Sequence, residues 1–162
     1  SSSRYCPTAG IFPLFAVLPE AEMTLDELIV FYNEFSPASV ARFPEFYSDN
    51  AYFKDPFNEV RGLPAIQRIF THMFGQVAEP RFVVTEKVAD ANGAMLVWEF
   101  YYRVRLWGKG EAQVMRGVSH LKFDADGKVN YHRDYWDAAE ELYMKLPAIG
   151  TLMRGLRRML AA

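Results

Sequence analysis

Between Ala94 and Trp107 every second residue is large and apolar: Leu96, Trp98, Phe100, Tyr102, Val104 and Leu106. Successive side chains of a strand point to opposite faces, so these residues would share one face of a single long strand. Such a strand twists and must cover its apolar face with another layer. Its neighbours are of the same kind. Arg81 to Ala89 alternates upstream, Glu111 to Phe123 returns after Gly108-Lys109-Gly110, and Val129 to Trp136 follows the turn at Asp126-Gly127. Glycine-rich and Asp-Gly pairs between alternating runs are hairpin signals. The second half therefore reads as a meander of long antiparallel strands.

The first half has a different period. Thr24-Leu25-Asp26-Glu27 has the spacing of a capping box, and Leu25, Leu28, Ile29, Tyr32 and Phe35 fall on one face of the helix it would open. Ser36-Pro37 ends that helix. Ser39 is placed to cap a second, shorter helix carrying Val40, Phe43 and Tyr47 inward, with Pro44 bending it. A short extended run covers 51–60. Pro64 then suits the first turn of a third helix, whose inner face is Ile66, Ile69, Phe70, Met73 and Phe74. Three helices followed by long strands argue for an α+β fold: a cone-shaped, curved antiparallel sheet wrapped around three N-terminal helices and enclosing a cavity. Residues 1–22 read as an irregular arm, 23–146 as the domain and 147–162 as a basic amphipathic helix. In that tail Ile149, Leu152, Met153, Leu156, Met159 and Leu160 form a stripe, with Arg154, Arg157 and Arg158 off it. Packing of the stripe on the domain or on a partner subunit is the expectation. Contact with an anionic membrane surface is the alternative.

Composition narrows the function classes. A chain of 162 residues fits one domain, and 51% hydrophobic residues are enough for a core plus an apolar cavity. A net charge of −2 gives no reason to expect a nucleic-acid partner. Cys6 is the sole cysteine, and the three histidines lack the i, i+4 spacing of a helical metal site, so neither a disulfide nor a catalytic metal is expected. No apolar run reaches the length of a membrane-spanning helix. A reducing, cytoplasmic setting is the expectation. Glycine-rich phosphate loops are absent.

Two segments carry chemistry. In Ala51-Tyr52-Phe53-Lys54-Asp55-Pro56-Phe57 one carboxylate, Asp55, stands among apolar and aromatic neighbours. Lost solvation disfavours its charged form, which makes a carboxylate usable as a base near neutral pH. The competing reading is a turn, since Asp before Pro favours bonds to nearby backbone amides. On the last strand His132, Asp134 and Trp136 share one face, with Val129, Tyr131, Arg133 and Tyr135 on the other. A histidine two residues from an aspartate can relay a proton, or both can make only local bonds. Asp137 reads as a helix cap, and Asp124 and Asp126 as turn residues. Glu99, Arg103 and Arg105 would form an ion-pair network on the outer sheet face. His72 falls off its helix's inner face, and His120 lies opposite Ser119 on its strand.

Phe46-Tyr47-Ser48-Asp49-Asn50-Ala51 leading into Phe53-Lys54-Asp55-Pro56-Phe57, then Arg61-Gly62 and Ile66, the hairpin from Phe123 to Val129, and Tyr135-Trp136 resemble, in that order and spacing, the nuclear transport factor 2-like superfamily. The nearest patterns are those of the ketosteroid isomerases and the SnoaL-like polyketide cyclases. The resemblance implies a pocket in the mouth of the cone, a homodimer through the outer sheet face, and chemistry without a cofactor. In the isomerases the aspartate of an Asp-Pro dipeptide moves a proton beside a ketone, and Asp55 occupies that place. Tyr32 matches the tyrosine that hydrogen-bonds the developing enolate oxygen. Ser119 matches the second donor, a protonated aspartic acid in those enzymes; its hydroxyl is shorter and less acidic. A branch resembling limonene epoxide hydrolase has a water-activating aspartate in a pattern close to Arg133-Asp134-Tyr135-Trp136-Asp137. It also needs an Arg and Asp pair on a central strand, where Glu99-Phe100-Tyr101-Tyr102 carries aromatics. The cyclase-like branch likewise uses an aspartate on its last strand. The family pattern turns Trp136 into the cavity, and His132 and Asp134 with it.

The expected function is binding of a small hydrophobic carbonyl-type ligand, with proton-transfer isomerisation or cyclisation. Asp55 or Asp134 would take the proton. Tyr32, with Ser119 or His132, would hydrogen-bond the oxygen. Phe53, Phe57, Phe70, Trp136 and Ser119 would contact the ligand. The alternatives are a non-catalytic ligand-binding or dimeric scaffold module, and epoxide hydrolase-like activation of water by Asp134.

Overall fold

The computed structural model describes residues 24–104, 112–141 and 147–160. The expected arm at 1–22, the turn at Gly108-Lys109-Gly110 and the outer-face Arg105 lie outside the described residues.

Helix α1 (Leu25–Asn33) opens on the expected capping box: the Glu27 amide donates to the Thr24 hydroxyl at 3.2 Å, and the Thr24 amide donates to the Glu27 carboxylate at 2.7 Å. Two orphan amides of the first turn are thereby satisfied. Its stripe centres on Leu28 and Phe31, with Leu25, Ile29 and Tyr32 at its partly buried edge. The next segment corrects the sequence reading. Ser36, not Ser39, caps a 3₁₀ turn at Pro37–Arg42. Proline has no amide hydrogen and suits the first turn, which moves the cap to the residue before it. Ser39 is the third position of that turn, and its hydroxyl accepts the Ser36 amide at 3.1 Å. Pro44 falls in the first turn of α2 (Phe43–Phe46), and Tyr47 opens β1 (Tyr47–Lys54) instead of prolonging a helix. After β2 (Glu59–Arg61), α3 (Leu63–Gln76) begins with Pro64 in its first turn and buries Leu63, Ile66, Phe70 and Phe74.

Four more strands follow: β3 (Val77–Asp90), β4 (Gly93–Val104), β5 (Gln113–Phe123) and β6 (Val129–Tyr135). Strand β3 starts earlier than its alternation suggested. Glu79-Pro80 interrupts the pattern at a bulge, where the register with β4 slips between Ala78 and Arg81 and Glu79 has a φ of 52°. A bulge on the sheet's edge strand is where proline is tolerated. The six strands run β2-β1-β6-β5-β4-β3. All neighbours are antiparallel except β1 and β6, which pair in parallel and so bring Phe53 opposite His132. Val129 also departs from the expected facing. The register slips between Phe123–Val129 and Lys122–Tyr131, so Asn130 is an extra residue and Val129 turns inward, fully buried.

The sheet's inner face is Ala94, Leu96, Trp98, Phe100 and Tyr102 on β4, with Leu121 on β5. At one end the helices fill it solidly, with Phe31, Phe35, Phe43 and Phe46 ring against ring. At the other end Trp98, Phe100 and Tyr102 leave a space open beneath α3. Gly117 makes the close packing here feasible, because a Cβ on it would stand 2.4 Å from the Trp98 ring. On the outer face Glu99 accepts from Arg116 at 3.1 Å and from the Tyr101 hydroxyl, and Arg103 pairs with Glu79 at 3.0 Å. Asp137 caps α4 (Ala138–Glu141), accepting from the amides of Ala139 and Glu140.

The tail forms α5 (Pro147–Leu160). Against the expected packing on the domain, Leu152, Leu156, Met159 and Leu160 of its stripe stand exposed, and Met153 is half-buried. No described helix is long and apolar enough to cross a membrane.

Candidate functional site

Beneath α3 lies a cavity of about 600 Å³, open at one end. Its walls are the inner row of β4, the lower face of α3 and the turn after β1. The apolar stripes of helix and sheet diverge here, so side chains that would close a core line a space instead. The polar groups at its margin are few, and two are carboxylates, Asp55 and Asp134.

Asp55 sits in the turn between β1 and β2. Its Oδ1 accepts the backbone amides of Phe57 at 2.7 Å and Asn58 at 2.6 Å, and the Asn58 side-chain amide spans both oxygens at 3.1 and 3.0 Å. The Asp55 amide in turn donates to the Asn58 carbonyl at 3.0 Å. The carboxylate lines the cavity, yet every bond it makes belongs to its own turn.

Asp134 lies on β6 directly opposite Ser119 of β5. Its Oδ1 meets the Ser119 hydroxyl at 2.5 Å and His132 Nε2 at 2.7 Å. Among the described residues Oδ2 has no hydrogen-bond partner, and no fully buried polar atom is left unsatisfied, so this oxygen remains accessible beside the cavity. Behind Asp134 the polar contacts continue inward. The Trp98 indole donates to Ser119 Oγ at 2.9 Å, His132 Nδ1 meets the Tyr47 hydroxyl at 2.7 Å, and the Tyr47 and Tyr32 hydroxyls meet at 2.6 Å. His132 and Tyr47 are 3% and 0% exposed. Burial holds both tyrosine hydroxyls well above their ordinary pKa; the Tyr47 bond opposes this at Tyr32, and the Asp134 charge adds to it at both. They stay protonated donors through the neutral range.

The cavity thus brings together Asp55, Asp134, Phe53, Phe57, Phe70 and Trp136. Phe57 and Trp136 meet edge to face at 5.3 Å across its mouth. Tyr32, His132 and Ser119 instead border a small adjoining space of about 30 Å³ that shares Phe70, Phe82, Trp98 and Asp134 with the main one. Sequence reasoning missed Tyr47 and Trp98. Trp98 was legible as an inward residue of its strand, but its bond to Ser119 was not. Tyr47 meets His132 across 85 positions of sequence, a pairing for which no local signal exists. Among the described residues no group of three or more His, Cys, Asp or Glu side chains could hold a metal ion.

The model of the SnoaL-like domain matches residues 28–132, more than half of the sequence. The chain belongs to the SnoaL-like domain family. The cavity and its two carboxylates are therefore features of a SnoaL-like protein, whose fold recurs in solved structures of low identity. An NTF2-like protein of unknown function from Burkholderia pseudomallei is 13% identical with a TM-score of 0.60, covering 86% of this chain and 100% of that one. A protein provisionally named a SnoaL-like polyketide cyclase, from Jannaschia sp. CCS1, is 13% identical with a TM-score of 0.59, covering 83% and 90%. TerC, co-crystallised with polyporic acid, is 12% identical with a TM-score of 0.60, covering 70% and 90%. No curated protein matches the chain.

Proposed function

We propose that this SnoaL-like protein binds a small hydrophobic ligand with a carbonyl-type oxygen beneath α3 and transfers a proton on it, in an isomerisation or cyclisation, with Asp134 as the base. The observation that carries this reading is the division of labour within one carboxylate: Oδ1 is held by His132 and Ser119, and Oδ2 has no partner among the described residues, on a side chain that lines the largely apolar cavity. A base must reach the proton it removes, and its orientation must be fixed by groups that do not themselves react. Aromatic walls exclude water and strengthen the electrostatic interactions inside. The name of the Jannaschia protein and the polyporic acid bound to TerC agree in kind with such a ligand.

Asp55 supports the role less well, because its lone pairs are engaged by Asn58 and the turn amides. Water activation by Asp134 on an epoxide is also less well supported. The inner row of β4 is Leu96, Trp98, Phe100 and Tyr102, which offers no Arg and Asp pair, and Glu99 bonds Arg116 on the outer face. Deuterium wash-in to a bicyclic ketone such as 2-tetralone, followed by proton NMR, tests the proposal. The expected result is exchange accelerated by the wild-type protein and lowered by about 10²–10⁴-fold in Asp134→Asn. Binding without acceleration would make the protein a ligand carrier.

A further inference from the structure

The hydrogens of the buried polar chain can be assigned one by one. Trp98 Nε1–H can only donate, so Ser119 Oγ accepts from it. Ser119 has one hydrogen, and its 2.5 Å contact to Asp134 Oδ1 has the length of a hydroxyl donating to a carboxylate. A carboxylate poised to take a proton accepts only, and the Ser119 hydrogen is already directed at it, so His132 Nε2, at 2.7 Å from the same oxygen and 3.2 Å from Ser119 Oγ, carries a hydrogen. Two arrangements remain for the other side of the ring. If Nδ1 is bare, Tyr32 donates to Tyr47, Tyr47 donates to Nδ1, and every hydrogen has an acceptor. If Nδ1 is protonated, the chain reverses, Tyr47 donates to Tyr32, and the Tyr32 hydrogen has no acceptor among the described residues. The first arrangement is the satisfied one.

We propose that Tyr47, backed by Tyr32, is a positioning residue that holds His132 as the neutral tautomer with its hydrogen on Nε2, and that this one-way chain of donors fixes Asp134 with only Oδ2 open to the cavity. The consequence rests on Asp134 being the base. In the other neutral tautomer Nε2 would set a lone pair against Oδ1, and the carboxylate would lose the donor that orients it. Tyr47 is suited to this role. It is fully buried, its ring packs on Phe43 with centroids 4.9 Å apart, and its hydroxyl is kept protonated by burial. Tyr32 and Tyr47 therefore serve the base from behind without touching the ligand.

The test reads the imidazole directly. In protein labelled with 15N-histidine, long-range proton–nitrogen correlation at neutral pH distinguishes a bare Nδ1 from a protonated one. Wild-type protein is expected to show His132 as the single Nε2–H tautomer. Tyr32→Phe, which leaves the Tyr47 donor in place, should retain that tautomer; Tyr47→Phe should give a mixture and lower the exchange rate on 2-tetralone about tenfold at unchanged KM. A wild-type spectrum with Nδ1 protonated, or a Tyr47→Phe spectrum unchanged from wild type, would overturn the proposal. The wild-type spectrum decides even where Tyr47→Phe fails to fold. The two ideas fail separately: an active Asp134→Asn variant removes the base but leaves the tautomer result standing.

Discussion

Two carboxylates border one cavity, and their surroundings differ. Asp55 stands in a turn, where local geometry engages both its oxygens: the residues two and three positions ahead supply its partners. Asp134 stands on a strand, where its immediate neighbours point away and its partners are His132, two positions back on the same face, and Ser119 across on β5, with Tyr47 of β1 behind His132. A turn carboxylate is consumed by the fold that makes the turn. A strand carboxylate gripped on one oxygen is both oriented and free to react.

The largest expected effect separates the two acids by rate. Asp134→Asn should lower the exchange rate on 2-tetralone by about 10²–10⁴-fold, the usual contribution of a positioned acid or base. Asp55→Asn should lower it less than about tenfold. Steady-state rates of both variants check this, and a reversal of the two would break the comparison. A packing change behind Asp134 comes next. Gly117→Ala would drive a Cβ into the Trp98 ring, whose indole anchors Ser119. We expect a loss of about 1–3 kcal/mol in urea unfolding, the range for overpacked sites, together with a slower exchange rate.

The same measurement sharpens the turn side. Asp55→Ala removes two acceptors of backbone amides and should cost about 1–2 kcal/mol of stability, with ligand affinity changed little. The smallest effect concerns the tyrosines behind Asp134. Their pKa values are raised in the folded state, so below an unfolded value of about 10 their contribution is complete, and it declines as pH rises above that. Stability should therefore fall in alkaline solution, and Tyr32→Phe combined with Tyr47→Phe should flatten that fall. Tyr102, raised by its own burial and by Glu141, adds a decline that the double variant leaves in place.

The fold was legible wherever a signal is local. The capping box at Thr24, the Pro64 start of α3, the Asp137 cap and the inward row of β4 each rest on residues a few positions apart. Readings went astray where a bulge or a proline shifts the frame by a residue or more, as at Asn130, Glu79 and Ser36. The site was half legible. Alternation sets His132 and Asp134 on one strand face, and only the family resemblance, against the apolarity of the other row, turns that face inward; the groups that orient them come from β1, β4 and β5. The donor role of Tyr32 comes from the family resemblance; in the structure its hydroxyl meets that of Tyr47 on β1, a contact no local pattern announces.

A crystal soaked with 2-naphthol, a planar mimic of an enol, puts the central claim to its most direct test. The ligand should lie beneath α3 with its hydroxyl within hydrogen-bonding distance of Asp134 Oδ2, while Asp55 keeps its bonds to Asn58. A ligand hydroxyl bound to Asp55, with Asp134 Oδ2 turned away from it, would contradict the account.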